Sequence, residues 1–256
     1  MHLTRSVLAD FFHLALRRRG MDRIGFLCEP AHPTFWPVAE RLSARGFEIR
    51  FLDPTDPVAR EDVDALDALV EASIGRTAFE VLRYADRVGV ETWNGFVPTT
   101  ALASRLVALE ALEAVGCPVP EVRSDPPARP DAYVERGRYR WDAGAGTFYQ
   151  RRLDADPVTH RYYAVDDGRE THVRAVTVRS ELSGLDDLVA STDVEVGPAT
   201  RVRELLSRFG ARALAVDFVQ AGDAYAVDVD PAPTFVGARM DQHVADAVAS
   251  LTTIGA

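Results

Sequence analysis

Apolar residues come in short blocks whose spacing changes twice along the chain. Arg23 to Cys28 is a compact apolar run, and Phe35, Val38, Ala39 and Leu42 then recur at helical spacing until Gly46 stops them. Phe47 to Leu52 is the next apolar stretch. Strand, helix and strand with short connections make a βαβ unit, expected to cross over right-handed between parallel strands. Asp67 to Ser73 predicts a third strand, Thr77 to Arg87 a helix, and Val88 to Trp93 a fourth strand ending at Asn94-Gly95. Residues 22–97 therefore read as a parallel α/β lobe.

Beyond it the period lengthens, then shortens. Leu102, Leu106, Leu109 and Leu112 mark one long helix from Thr99 to Val115, closed by Gly116-Cys117-Pro118-Val119-Pro120. After a short strand at Glu121 to Arg123 and a proline-rich link, alternation takes over. Ala132–Trp141, Thr147–Leu153, Arg161–Val165 and Glu170–Val178 read as largely antiparallel strands. Helices are predicted at Thr200–Phe209 and Met240–Leu251. The fold class is α/β and α+β: a parallel N-terminal βαβ lobe, then antiparallel sheets over 98–256. Residues 1–21 read either as an amphipathic helix over 4–18 packed on the first lobe or as an extension upstream of the folded domain.

The alternation is sharpest at Ala215 to Phe235. Val216 and Phe218, then Tyr225, Val227 and Val229, are apolar, while Asp217, Asp228 and Asp230 take the other parity around a Gln220–Asp223 turn. An even turn pairing Val219 with Ala224 puts Asp217 opposite Ala226 and diagonal to Asp228, so the three acids share a face. An odd turn sends Asp217 to the opposite face. Converging carboxylates repel unless a cation neutralises them, and such oxygen ligands suit Mg²⁺ shared with substrate phosphates. The other reading is an acidic solvent face. Arg136, Arg138 and Arg140, two apart, likewise read either as a phosphate-holding row facing that hairpin or as a solvated strand face. His32, at the C-terminal end of the first strand, reads as a ligand contact or as a solvated loop residue.

Composition narrows the choice. A chain of 256 residues, 47% hydrophobic, can bury a large core. Its net charge of −10 argues against nucleic-acid or anionic-membrane partners. All 29 basic residues are arginine, so lysine chemistry is excluded and any cationic phosphate contact is a guanidinium. An acidic, lysine-free, Asp- and Ala-rich chain resembles proteins of a high-salt cytoplasm. Cys28 and Cys117 are too few for a disulfide framework and read as small buried hydrophobes. No apolar run has membrane-spanning length, and Val7–Leu16 precedes its arginines instead of following them, so a cytoplasmic protein is expected. No GxGxxG or GxxxxGKS follows a strand.

Three segments, in order, resemble the ATP-grasp superfamily, in the part that includes RimK-like ligases and inositol phosphate kinases. Trp93-Asn94-Gly95 with Ser104-Arg105 and the Val115–Pro120 helix end is similar to the entry into its nucleotide lobe. Phe148–Leu153 is similar to the hinge strand against adenine, and Ala215–Phe218 with Val227–Pro233 to the metal-binding hairpin. The resemblance implies ATP and Mg²⁺ as cofactors. Asp217, Asp228 and Asp230 would bind the metal, Arg105 and Arg136 would contact phosphate, and Gln150, Arg151, Arg152 and Leu153 would line the adenine pocket. Arg161 and Arg174 would face the transferred phosphoryl group. The implied activity is γ-phosphate transfer to a small-molecule or peptide acceptor, as a carboxylate–amine ligase or a kinase, or else a non-catalytic nucleotide-binding protein. The sequence departs from the family at three points: arginine replaces both phosphate lysines, Asp230 replaces the usual Asn, and the interval from Trp141 to Thr147 is too short for a glycine-rich lid and its helix.

Overall fold

A computed structural model describes residues 21–142, 144, 146–155, 157–180 and 186–252. The expected helix over 4–18 lies outside the described residues. β1 (Arg23–Leu27), β2 (Glu48–Leu52), β3 (Ala68–Glu71) and β4 (Glu91–Thr92) form a parallel sheet ordered β2-β1-β3-β4. α1 (Phe35–Ala44) connects β1 to β2, a short α2 (Arg60–Asp64) precedes β3, and α3 (Arg76–Val88) leads to β4. The βαβ expectation holds. β1 lies inside the sheet and reads as a run of buried residues, as a strand covered on both faces must.

His32 is neither solvated nor free. It is buried, and its Nδ1 accepts the backbone N–H groups of Thr34 and Phe35, each at 3.3 Å, at the start of α1. It acts as an N-terminal cap for a helix whose own N-cap residue, Thr34, makes no side-chain capping hydrogen bond.

The long helix expected from Thr99 to Val115 is two helices, α4 (Phe96–Ala103) and α5 (Arg105–Ala114). Ser104 between them is extended and bridges to Tyr139, while Arg105 N–H donates to the Arg138 carbonyl. The leucine spacing runs through the break because a single extended residue leaves both faces pointing at the same core. β5 (Val122–Arg123), β6 (Tyr133–Gly137) and β7 (Thr147–Arg151) make a small antiparallel sheet ordered β5-β7-β6. The strand expected over 132–141 ends at Gly137, beyond which the chain turns to meet Ser104.

The larger sheet is antiparallel and ordered β10-β9-β8-β11-β12: β8 (Thr159–Asp166), β9 (Thr171–Ser180), β10 (Asp186–Thr192), β11 (Ala213–Ala221) and β12 (Asp223–Asp230). β10 was not expected. α6 (Val196–Phe209) begins four residues earlier than predicted, and α7 (Asp241–Leu251) follows the hairpin. Among the described residues no helix is long and apolar enough to cross a membrane.

Each face of the large sheet has its own core. On one side Tyr162, Leu214, Val216, Phe218, Ala226 and Val229 pack against α4, α5 and α6. On the other, Tyr163, Val176 and Ala215 join Ile24, Phe26, Phe35, Val38, Met240, Val244 and Val248, so α1, α7 and the first sheet share one core with the second. Burying each such Val, Leu or Phe contributes about 1.5–3 kcal/mol. Asn94, 1% exposed, clasps this junction. Its Nδ2 donates to the carbonyls of Ala213 (2.7 Å) and Pro231 (2.6 Å), and its Oδ1 accepts from the N–H groups of Arg212 and Ala213. Every lone pair and proton of the amide is used.

Candidate functional site

The face shared by β8, β11 and β12 carries apolar residues only part of the way along. Where they stop, the acids begin. The hairpin turn is odd: Ala221 pairs with Asp223 around Gly222, whose φ of +80° suits glycine. Uninterrupted pairing from such a turn would put Asp228 on the core face beside Val216. A bulge at Val227 absorbs the extra residue, so Phe218 pairs with Ala226 but Asp217 pairs directly with Asp228. Of the two turn lengths open from the sequence the odd one is found, but the bulge keeps Asp217 on the face of Asp228 instead of sending it to the opposite one, and Ala226 and Val229 stand on the core face in place of Tyr225 and Val227. The bulge has its own partners. Ala226 N–H donates to the Pro118 carbonyl (2.9 Å), and Gln150, 5% exposed, donates from Nε2 to the Val227 carbonyl (3.2 Å).

Four arginines, from α5, β6, the segment after β6, and β8, converge on the three acids. Arg161 of β8, opposite Asp217 in register, binds it with two hydrogen bonds, Nε to Oδ1 at 2.7 Å and a terminal nitrogen to Oδ2 at 2.9 Å. Asp228 Oδ2 receives Arg140 at 2.7 Å and Arg136 at 3.0 Å, with Arg105 Nε at 3.7 Å. Arg140 also lies 3.5 Å from Asp230 Oδ2. Trp141, packed edge-on against Phe79 and beside Tyr139, holds the segment bearing Arg140 against the first lobe. Arg138, the remaining member of the row, donates to the Thr147 carbonyl at 3.3 Å.

Electrostatics follow from burial and pairing. Burial raises the Asp217 carboxyl above its ordinary value while Arg161 pulls it down. Hydrogen bonding to Asp217 raises Arg161 well above the usual guanidinium range. Burial lowers Arg105, as do the charges of Arg136 and Arg140, and Asp228 opposes them. Arg105 Nε is buried with no hydrogen-bond acceptor, although its terminal nitrogen reaches the Gly137 and Tyr139 carbonyls. Burial pushes the Cys28 and Cys117 thiols up to about 12 and about 11, so neither is a nucleophile at neutral pH.

Not every residue singled out from sequence joins this cluster. Asp217, Asp228, Asp230, Arg105, Arg136 and Arg161 do. Gln150 braces it from behind. Arg151 and Arg152 are exposed, with backbone N–H groups bonded to Glu121 and Ala132. Arg174 is exposed on β9, donates to the Val173 carbonyl and has its charge beside His243. Arg140 was read only as one of a row. Its signal was there: the row reaches the hairpin through its first and last members.

No family model matches the sequence, and no relative is found among curated proteins. Solved structures do match. The ATP-grasp ligase PsnB, complexed with a minimal precursor, superposes with a TM-score of 0.67 at 14% identity, over 90% of this chain and 99% of that one. The macrocyclase MdnC from Microcystis aeruginosa MRC, bound with precursor peptide MdnA, gives 0.67 at 10% identity over 90% and 99%. The chain has the ATP-grasp fold. N5-carboxyaminoimidazole synthetase from Staphylococcus aureus shares that fold, with a TM-score of 0.65 at 10% identity over 91% of this chain and 79% of its own.

The ATP-grasp resemblance implies a Mg²⁺ ion on the three aspartates, and the donor set can be tested against it. Both Asp217 oxygens accept from Arg161. Asp228 Oδ1 takes the Val229 N–H, and its Oδ2 faces three guanidinium groups. Asp230 Oδ1 takes the Ala232 N–H. Among the described residues no group of three or more His, Cys, Asp and Glu side chains is arranged to hold a metal ion. Four guanidinium charges against three carboxylates leave the cluster positive. As arranged, it does not fit a divalent cation, and it does fit an anion.

Proposed function

We propose that the protein is an ATP-dependent carboxylate–amine ligase acting on a peptide or small-molecule acceptor. The observation that carries this reading is the convergence of Arg105, Arg136, Arg140 and Arg161 on the acidic hairpin, beside the Gln150 strand, within an ATP-grasp fold. Guanidinium groups at such a place neutralise and orient a phosphate chain. A peptide acceptor is supported by neighbours bound to precursor peptides, and a nucleotide by a PsnB complex containing Mg and ADP. In the reaction, an acceptor carboxylate oxygen bonds the γ-phosphorus as the bond to the β,γ-bridging oxygen breaks, releasing ADP. An amine then attacks the acyl carbon, phosphate leaves with the C–O electron pair, and the amine proton passes to solvent. The chain's own part is to hold the phosphates in line through the arginines.

One observation favours a second reading, a non-catalytic nucleotide-binding protein: each of the three acids is already engaged by a guanidinium. The two are separated by incubating the full chain with ATP and a panel of peptides bearing free carboxylates and amines. Acceptor-dependent ADP and phosphate in equal amounts, with a product lighter by one water than its two precursors, supports the ligase. ATP binding without turnover on any acceptor supports the second reading.

A further inference from the structure

We infer that the Asp228 carboxylate occupies the place of a ligand phosphate, and that this site takes a polyphosphate as a metal-free anion held by Arg105, Arg136 and Arg140. The inference rests on the nucleotide reading of the same site and departs from its metal chemistry.

Two independent observations carry it. The first is geometric: three guanidinium groups, from α5, β6 and the segment after β6, aim at a single oxygen, Asp228 Oδ2, at 3.7, 3.0 and 2.7 Å. One carboxylate oxygen cannot satisfy three forks, each of which suits an oxyanion with several acceptor atoms. The second is an orphan: Arg105 Nε is buried without an acceptor, too far from Asp228 for a hydrogen bond. A buried unpaired donor on a cation is costly unless a ligand supplies the missing oxygen. A phosphate group offers three or four oxygens where Asp228 offers one.

Charge decides against the cation. With Arg161 committed to Asp217, the remaining cluster holds Arg105, Arg136 and Arg140 against Asp228 and Asp230, a surplus of one positive charge. A divalent ion would enter against that surplus and would have to strip guanidinium groups from both carboxylates. An entering phosphate relieves it: the arginines exchange Asp228 for the ligand, and the freed carboxylate turns towards solvent.

Asp228 then competes with the ligand instead of helping to bind it, which reverses the outcome expected of a metal ligand. The experiment is calorimetric titration of the full chain with tripolyphosphate and with ATP, each in excess EDTA and each in Mg²⁺, for the natural protein, Asp228→Asn and Arg140→Gln. The expected result is binding in EDTA that Mg²⁺ changes by less than about threefold, and about tenfold tighter binding in Asp228→Asn, the scale of one charge-assisted contact no longer contested. Arg140→Gln weakens binding in both media. Binding of ATP that requires Mg²⁺, or its loss in Asp228→Asn with the fold intact by circular dichroism, overturns the inference and leaves the nucleotide reading standing. Binding of tripolyphosphate but not ATP supports the inference and removes the nucleotide. No binding of either anion overturns both. The natural protein alone decides the question if a variant fails to fold.

Discussion

Arg161 and Asp217 face each other across neighbouring strands, at opposed register positions, in a two-pronged ion pair with hydrogen bonds of 2.7 and 2.9 Å. Both side chains are largely buried, 25% and 18% exposed. The pair is therefore better described by what its rupture costs than by what its presence contributes, because two desolvated charges nearly cancel their own attraction.

Arg161→Met is expected to destabilise the fold by about 3–5 kcal/mol near neutral pH, since it strands a buried carboxylate. Burial already raises Asp217, and losing Arg161 raises it further, so the variant's deficit shrinks as pH falls and the acid protonates. The double variant Arg161→Met with Asp217→Leu is expected to lie within about 1–2 kcal/mol of the natural protein. Urea unfolding at pH 4.5 and 7.5 checks all three statements. An equal deficit at both pH values would contradict the stranded charge.

Asn94→Ala removes four hydrogen bonds at once and leaves the Arg212 and Ala213 N–H groups and the Ala213 and Pro231 carbonyls unpaired. A cost of about 3 kcal/mol or more is expected, at 1–3 kcal/mol for each buried group left unsatisfied, with partial relief from water. Chemical denaturation measures it, and a loss below about 1 kcal/mol would mean the clasp is dispensable.

Glu71 is fully enclosed, near the Asn94 N–H and the Thr99 hydroxyl, and burial pushes its carboxyl up to about 8. In the unfolded chain it titrates near 4.5. Between those values the folded protein holds a proton that the unfolded chain releases, so this group's contribution to stability falls as pH rises from about 4.5 to about 8, by roughly 1.4 kcal/mol per unit. Glu71→Gln is expected to flatten that part of the stability profile and to be the more stable protein at pH 9. Unfolding midpoints of both proteins from pH 5 to 9 test the sign.

Deleting Val227 is expected to leave a folded protein in which Asp217 still faces Asp228, because only the residue that the bulge absorbs is removed. The cost is set at about 1–3 kcal/mol by the misaligned partners of Gln150 and Pro118. Unfolding by urea, with anion binding as a readout of the site, checks this.

The parallel lobe was legible because β1 and α1 follow their spacings without interruption. The acidic hairpin was legible as a hairpin, and its acids as one face, though for a different reason from the one the sequence suggests. Tyr225, Val227 and Val229 continue a plain alternation, and nothing in it marks Val227 as surplus. Its bulge is imposed by Pro118 and Gln150, more than seventy residues away along the chain. The break at Ser104 was hidden for a related reason: its cause is the bridge to Tyr139. The arginine row could be picked out from sequence, but that Arg136 and Arg140 meet Asp228 directly depends on how the small sheet sits against the large one, which no local pattern records.

The core of the first sheet has a consequence for how the chain comes to be folded. Phe26, Phe35, Val38 and Leu42 are buried partly under Met240 and under Val244 and Val248 of α7, which is synthesised about 200 residues after β1. While the ribosome is still translating the middle of the message, the N-terminal strands and α1 have no lid, and an apolar surface waits in the open. The apolar face of the first sheet is thus covered only once the hairpin and α7 have left the ribosome, and it stays open to solvent until then.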